Sequence, residues 1–491
     1  MTKLKELFSD TLIYGISSVL ARFINYLLVP LHTKVYGTAQ YGVIGLVYAA
    51  IAFLNVVFTF GMESAYLRYA KDREKARSVF KTIQLTLLGI ATVLAVLLWM
   101  LAPLIMPLMS LGSGTHSIFL MMIGILWFDT LALVPFAELR LVRKPVQYAV
   151  IRTVNVLINI GLNFYLILGL GWGIEAVFVA NLLASGVTTL FLWMLTARML
   201  GGTWQTPILK KAMTFGIPFI PAGLGYVINE MLDRFFLNNY LSDATAAGLY
   251  GAGTTPEDVV GIYNACYKLA VFMLLLIQMF RMAWQPFFLR YAEDEEAPEL
   301  YADVFFYFNI AAAAVFLGIG LFVNQIVQFP IPGLDAYLID PKFWGGLSIV
   351  PVLLGAYWFH GWYMNFSAGV FIEEETKILP KIMLAGAVIT VVANLVLIPF
   401  FGMMGSAFAT LFSYASMALL LYREVRGVYP VPYPIIKVLG MMALVAGCVL
   451  LQPWAGMIID TQWIANLLLL GIGLGGLALF VVSGSVRRPQ S

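Results

Sequence analysis

The chain has 491 residues, of which 61% are hydrophobic and only 11% charged, with a mean hydropathy of +0.89. A soluble fold cannot hide that much apolar surface, so the composition excludes a soluble enzyme or binding domain and requires a polytopic membrane protein. A net charge of only +3 gives no reason to expect a nucleic-acid partner, and no small-residue cleavage site follows the first apolar run, so no cleavable signal peptide is expected.

Apolar runs of about 20 residues mark spanning helices. Fourteen are predicted, near 10–30, 42–63, 81–104, 118–137, 149–169, 174–196, 213–235, 259–282, 304–329, 344–366, 381–399, 405–422, 437–453 and 463–483. Lys and Arg concentrate in alternate connections, among them the 68–81 cluster, Arg140, Arg143, Lys144, Lys210 and Lys211, whereas only Lys34 and Lys342 stand out on the other side. Cytoplasmic loops carry the excess of Lys and Arg, so both termini are predicted to be cytoplasmic.

Several of these helices carry polar groups. A charge at the bilayer centre costs about 2.5–3.5 kcal/mol on insertion scales and therefore needs a reason. Arg22 lies about twelve residues into the first helix, on one face with Ser18 and Asn25. Asp129 falls at mid-depth of the fourth helix, and Lys268 at mid-depth of the eighth with Asn264 one turn before it. Two readings stand side by side for these charges: a water-filled cationic cavity, or a structural ion pair between Arg22 and Asp129.

The fifth helix carries Asn155, Asn159 and Asn163 at successive one-turn intervals, with Arg152 nearby. Amides donate to and accept from hydroxyls, so the stripe suits a sugar path, and it suits interhelical hydrogen bonding equally well. The seventh helix opens Gly216-Ile-Pro218-Phe-Ile-Pro221-Ala-Gly223-Leu-Gly225, which predicts a bent or broken helix. Tyr226, Glu230 and Asp233 then share a face, and Asp233 with Arg234 reads as an ion pair near the outer interface. The segment around 238–258 is polar and Gly-rich, and is expected to be the longest external connection and mobile. His360 stands among Tyr357, Trp358, Trp362 and Tyr363, which reads as an aromatic belt at the membrane interface. Cys266 and Cys448 lie in separate apolar runs and are expected to be buried thiols, with neither a disulfide nor a metal site.

The chain repeats itself. NFYLILGLGWGIEA from Asn163 to Ala176 matches NLVLIPFFGMMGSA from Asn394 to Ala407, pairing Asn163 with Asn394 and Gly171 with Gly402 at an offset of 231. Leu67-Arg68-Tyr69-Ala70 recurs as Leu289-Arg290-Tyr291-Ala292 at an offset of 222. Two echoes in the same order predict a duplicated bundle, the usual plan of secondary transporters, with the substrate site between the repeats. The expected organisation is an all-α polytopic protein with an N-lobe over 1–200, a C-lobe over 201–430, and two appended helices with a tail over 431–491. No phosphate-binding Gly-Lys loop, paired metal ligands or nucleophile elbow is visible, so neither an enzyme nor a bound cofactor is expected.

Four stretches together are similar to the polysaccharide transporter branch of the multidrug/oligosaccharidyl-lipid/polysaccharide (MOP) exporter superfamily, the Wzx-type oligosaccharide flippases. They are Leu20–Tyr69, with Arg22, Pro30, Gly37, Gly42 and Gly61; Gly216–Pro218 followed by Asp233-Arg234-Phe-Phe and Gly248-Leu-Tyr250; Tyr263–Leu269; and the Asn163/Asn394 repeat. The resemblance spans nearly the whole chain and implies two pseudo-symmetric six-helix lobes in a V shape, opening alternately to either side. It implies a cargo of oligosaccharide on polyprenyl pyrophosphate, moved across the inner membrane for surface polysaccharides such as O-antigen, with glycan polymerase and ligase proteins as candidate partners. Arg22 matches the family's first-helix cation, and Lys268 is carried over beside it. The residues expected to meet the cargo are Arg22, Asn25, Asp129, Asn159, Glu230, Asn264 and Lys268. An anionic pyrophosphate would be drawn to the two cations in a low-dielectric cavity. A multidrug or cation antiporter would instead want carboxylates, for which Asp129 and Glu230 qualify, and a flippase for a cell-wall lipid precursor would share the cationic cavity. A scaffold for glycan enzymes would have no use for buried charges.

Overall fold

The computed structural model describes residues 26–109, 111–375, 377–459 and 461–484, and the account below is of those residues. They form a helical protein whose helices run in the predicted order. The first are α1 (Leu28–Val35), α2 (Thr38–Thr59), α3 (Met62–Tyr69), α4 (Ala76–Met100), α5 (Ala102–Leu108), α6 (His116–Leu141), α7 (Pro145–Phe164) and α8 (Glu175–Thr196). Next come α9 (Thr206–Gly216), α10 (Phe219–Tyr240), α11 (Asp243–Tyr250) and α12 (Pro256–Arg290). The chain closes with α13 (Ala297–Val327), α14 (Ile349–Ile372), α15 (Ile378–Val428), α16 (Ile435–Ile458) and α17 (Gln462–Gly484). Eleven stretches are long and apolar enough to cross a membrane. One of them, α15, is 51 residues long, enough for two crossings, and breaks at Gly402, where φ is +52° and ψ −127°. Aromatic-rich α14 has the 24 residues that a further crossing needs. Arg22 and Asn25 lie outside the described residues.

Local chemistry sets many of the helix ends. Proline stands in the first turn of α7, α9 and α13, where a missing N–H leaves no bond unmade. Gln40 reaches back to the Gly37 N–H (3.0 Å) to start α2. The expected break in the seventh helix falls at Ile217–Pro218, which separates α9 from α10. Gly216 packs there against the Phe60 carbonyl with no room for a side chain.

The segment after α10 departs from expectation. Instead of a bare loop it holds α11, which Ser242 caps by accepting from the Thr245 N–H at 3.1 Å. The longer connection is residues 328–348, where the pair Pro330↔Tyr337 and Ile331↔Ala336 makes a short antiparallel hairpin. Pro330, Gly333 and Pro341 keep that stretch out of the flanking helices.

The described chain divides into two compact units, residues 26–261 and 262–484. In the first, α6 packs on α8 and α4, and α10 packs on α2. In the second, α14 lies along α15, and α16 and α17 pack on α13. The appended pair is tied down by polar contacts: Gln452 (2.8 Å) and Asn466 (2.6 Å) both donate to the Leu321 carbonyl. Both cysteines are free and buried.

The sequence repeat has a structural counterpart. Gly171 and Gly402, equivalent at the 231-residue offset, both turn the chain through positive φ, +66° and +52°. Asn163 and Asn394 are both fully buried, and each donates to the carbonyl one turn earlier, at 2.9 and 2.7 Å. His32 donates to the Asn163 side-chain oxygen (2.9 Å), and Ser406 donates to that of Asn394 (3.1 Å).

Candidate functional site

In the unit of residues 26–261, α2, α3, α6, α7 and α8 enclose a polar cavity of about 230 Å³. Its inner wall is made of short polar side chains on helices that are otherwise apolar. Asn55 comes from α2, Asn155 from α7, and Asn181, Ser185 and Thr188 from α8. The three α8 residues follow the four- and three-residue steps of one helical face, which is why they converge. Asp129 lies thirteen residues from the start of α6 and twelve from its end, halfway along a membrane-spanning helix, and its carboxylate is accessible from the cavity. The Ser185 hydroxyl bonds to it, and the Arg152 guanidinium is an opposing charge that acts on it.

The remaining polar groups hold one another in place. Asn155 donates to the Thr188 hydroxyl (2.9 Å), Asn181 to the Tyr48 hydroxyl (3.1 Å), and Thr189 to the Phe128 carbonyl (2.9 Å). Toward the ends of α3 and α6 the cavity is charged, with Glu63 ion-paired to Arg140. The Arg152 guanidinium lies over the Phe136 ring at 4.2 Å and the Tyr148 ring at 5.8 Å, a stacking that a planar cation favours. Amides and hydroxyls for a polyol, the Arg152 guanidinium for an anion and the Asp129 carboxylate for a proton or cation therefore share a single opening.

The expected site residues separate. Asp129 lines the cavity together with Asn155 and Arg152. Asn159, one turn along α7, accepts from Asn163 at 2.8 Å and is outside the cavity wall. The asparagine stripe thus ties α7 to α8 through Asn155 and to α1 through Asn163, as its interhelical reading has it. Glu230 is buried on α10, and its main-chain carbonyl accepts from Arg234 at 2.7 Å. Asn264 and Lys268 stand one turn apart on α12, both half-buried, in the other unit. Arg22 and Asn25 lie beyond the described residues, so the Arg22–Asp129 pair does too.

Asp233 and Arg234 form the expected ion pair, at 2.6 Å, with both side chains buried. One expectation changes. His360 is not part of an interfacial belt. It is buried at mid-length of α14 against Tyr414, with ring centroids 4.7 Å apart, while Trp358 and Trp362 turn away to share the Asn309 side-chain oxygen. An aromatic run on a helix packed on two sides is drawn into the core, where the indole N–H groups find a partner. Sequence reasoning missed Asn55, Asn181, Ser185 and Thr188. The spacing of the last three was a usable signal, hidden within a run read only for its hydrophobicity.

A family model described as "Polysaccharide biosynthesis protein" matches residues 7–292. No curated protein sequence matches the chain. Among solved structures, the lipid II flippase MurJ in an inward closed conformation aligns with a TM-score of 0.67 at 14% identity, covering 96% of this chain and 98% of that one. An inward-facing multidrug resistance MATE family transporter of the MOP superfamily aligns with a TM-score of 0.65 at 17% identity, covering 86% and 97%. A MOP superfamily transporter from Pyrococcus furiosus, described as having a binding pocket of reverse polarity, aligns at 0.59 and 18% identity, covering 87% and 95%. At these identities the likeness is one of fold: the helical architecture here is that of MATE and MurJ transporters.

Proposed function

Since the chain belongs to the polysaccharide biosynthesis protein family, we propose that it is a flippase that carries oligosaccharide linked to polyprenyl pyrophosphate from the cytoplasmic to the outer face of the inner membrane by alternating access. The observation that supports this most is the polar cavity buried inside a membrane-spanning unit. Its walls offer amide and hydroxyl groups to a sugar, and Arg152 to an anion. Arg22 and Lys268 are the cations assigned to the pyrophosphate, together with Asn25 and Asn264, and Asn159 and Glu230 take supporting roles. The step assigned to the cavity is movement without covalent change.

The membrane potential favours this direction. Moving a negative charge outward gains about 2.3 kcal/mol per 100 mV in a cell with a negative interior. The protein's task is then to lower the barrier at the bilayer centre, which fixed cations and hydrogen-bonding side chains do. In cells lacking the chain, lipid-linked glycan should accumulate at the inner leaflet while surface polysaccharide disappears. Unchanged surface polysaccharide in such cells would contradict the reading. The accessible carboxylate of Asp129 favours a second reading, cation-coupled antiport. That reading requires solute extrusion that fails when Asp129 is replaced, with surface polysaccharide intact.

A further inference from the structure

The start of α4 and the connection between α8 and α9 are knit into one surface. Ser78 and Thr203, 125 residues apart in sequence, bond through their hydroxyls at 3.1 Å, and the Thr203 N–H donates to the Ser78 hydroxyl at 3.2 Å. The Gln205 N–H donates to the Thr82 hydroxyl at 3.1 Å. Gly202 lies so close to the Arg77 carbonyl that a methyl group there would strike it. Beneath, Ala76, Val79, Phe80 and Ile83 of α4 share a buried core with Ala212 of α9, and Met199 and Leu200 pack against it. The Arg68 guanidinium lies over the Phe215 ring at 4.6 Å and ties the end of α3 to the same platform.

The surface so held is basic. Arg77 and Lys81 stand one turn apart on α4, Lys210 and Lys211 adjoin on the exposed side of α9, and Arg198 follows α8. None of these five is in an ion pair among the described residues. The carboxylates at hand are largely taken: Lys75 holds Asp72 at 3.1 Å and Arg73 holds Glu138 at 2.6 Å, which leaves the exposed Glu74. Like charges fixed together repel one another, and an anion from outside relieves that repulsion. An apolar stripe leads up to these cations. Leu183, Val187, Leu190 and Met194 follow four- and three-residue steps on one face of α8 and are all exposed, Met194 by 70%. Arg198 is the next step along that line, and the exposed Trp204 stands in the connection bonded to α4. Tryptophan favours the boundary between acyl chains and headgroups. A signal for topology alone needs the cations but neither the knitted platform nor the stripe that ends at Arg198.

We propose that this surface binds the headgroup of an anionic phospholipid. Arg77, Lys81, Arg198, Lys210 and Lys211 meet its phosphate, and its acyl chains lie along the exposed face of α8. On the asymmetry of Lys and Arg, the lipid belongs to the cytoplasmic leaflet. None of the five cations lines the polar cavity, so the lipid site is separate from that cavity and goes beyond the transport reading.

The test is lipid retention by the full chain. Protein purified in dodecyl maltoside is mixed with equal amounts of phosphatidylglycerol and phosphatidylcholine of the same acyl chains and repurified, and the retained lipid is quantified by mass spectrometry. The wild-type chain should retain phosphatidylglycerol several-fold over phosphatidylcholine, and high salt should erase the preference. The variant Arg77→Gln/Lys81→Gln/Arg198→Gln/Lys210→Gln should retain at least about tenfold less phosphatidylglycerol at an unchanged elution volume. Gln at four other exposed cations, Lys377, Lys381, Arg423 and Arg426, should leave retention as it was. Excess inorganic phosphate should not displace the lipid, because phosphate has no chains to lay along α8. Equal retention of the two lipids by the wild-type chain would overturn the proposal and point to an acidic protein as the partner of this surface. An equal loss in the two quadruple variants would overturn it too. Displacement by inorganic phosphate would show a phosphate site only and sink the lipid assignment. If the first variant elutes as an aggregate, the wild-type measurements decide alone: the preference must exist, yield to salt and resist phosphate.

Discussion

Asp129 is the residue whose surroundings say most about its role. It stands halfway along α6, facing a polar cavity, with Ser185 bonded to it and Arg152 as an opposing charge within that unit. If Arg22 meets the cargo, Arg22→Ala should abolish export at normal protein level, and adding Asp129→Ala should not rescue it. A structural pair makes the opposite forecast: each single change lowers abundance and the double change largely restores abundance and export. Quantifying protein by blot and surface glycan in the four genotypes separates the two. Arg22→Lys should keep part of the activity, since a point charge still attracts phosphate but lacks the bidentate fork.

At the scale of elements, the apolar runs from residue 42 onward, the broken seventh helix and the repeated Gly turn were legible, because each follows from a local rule of length, proline geometry or positive φ. What was not legible depended on neighbours. The helix α11 sits in a Gly-rich segment and exists because Ser242 caps it, a signal weaker than the glycines around it. His360 was misplaced because an aromatic run looks the same in a belt and in a core, and only packing against Tyr414 decides. Half of the cavity was readable from Asp129 and the asparagine stripe. The α8 wall was not, since Asn181, Ser185 and Thr188 are diluted within a hydrophobic run. The Gly turn offers a clean test. Gly171 has φ +66° and no atom within 4 Å of a prospective methyl group, so Gly171→Ala should cost about 1–2 kcal/mol from backbone strain alone. Gly161, ten residues earlier on α7, is equally uncrowded but in ordinary helical φ, so Gly161→Ala should be neutral or stabilising by up to about 1 kcal/mol. Thermal unfolding of the two variants in the same detergent should therefore shift in opposite directions. A loss of stability at Gly161 as large as at Gly171 would show that the repeat does not use φ.

At the scale of the whole molecule, the asymmetry of Lys and Arg predicts that residues 66–80 face the cytoplasm and 240–256 the outside. Ser78, half-buried in the first turn of α4, and the exposed Ser242, which caps α11, report on this. Replaced singly by Cys in intact cells, position 242 should react with a membrane-impermeant thiol reagent and position 78 should not. Equal labelling would refute the orientation, and with it the direction in which the membrane potential acts on an anionic cargo.

The central claim is movement of a lipid-linked diphosphate sugar, and reconstitution tests it most directly. Purified chain in proteoliposomes carrying NBD-labelled polyprenyl diphosphate sugar should expose the probe of both leaflets to dithionite, whereas empty liposomes should protect about half of it. Arg22→Ala should return the protected fraction toward that of empty liposomes, and a potential that favours outward movement of anions should speed exposure. A protected fraction equal to that of empty liposomes with the folded wild-type chain present would contradict the account.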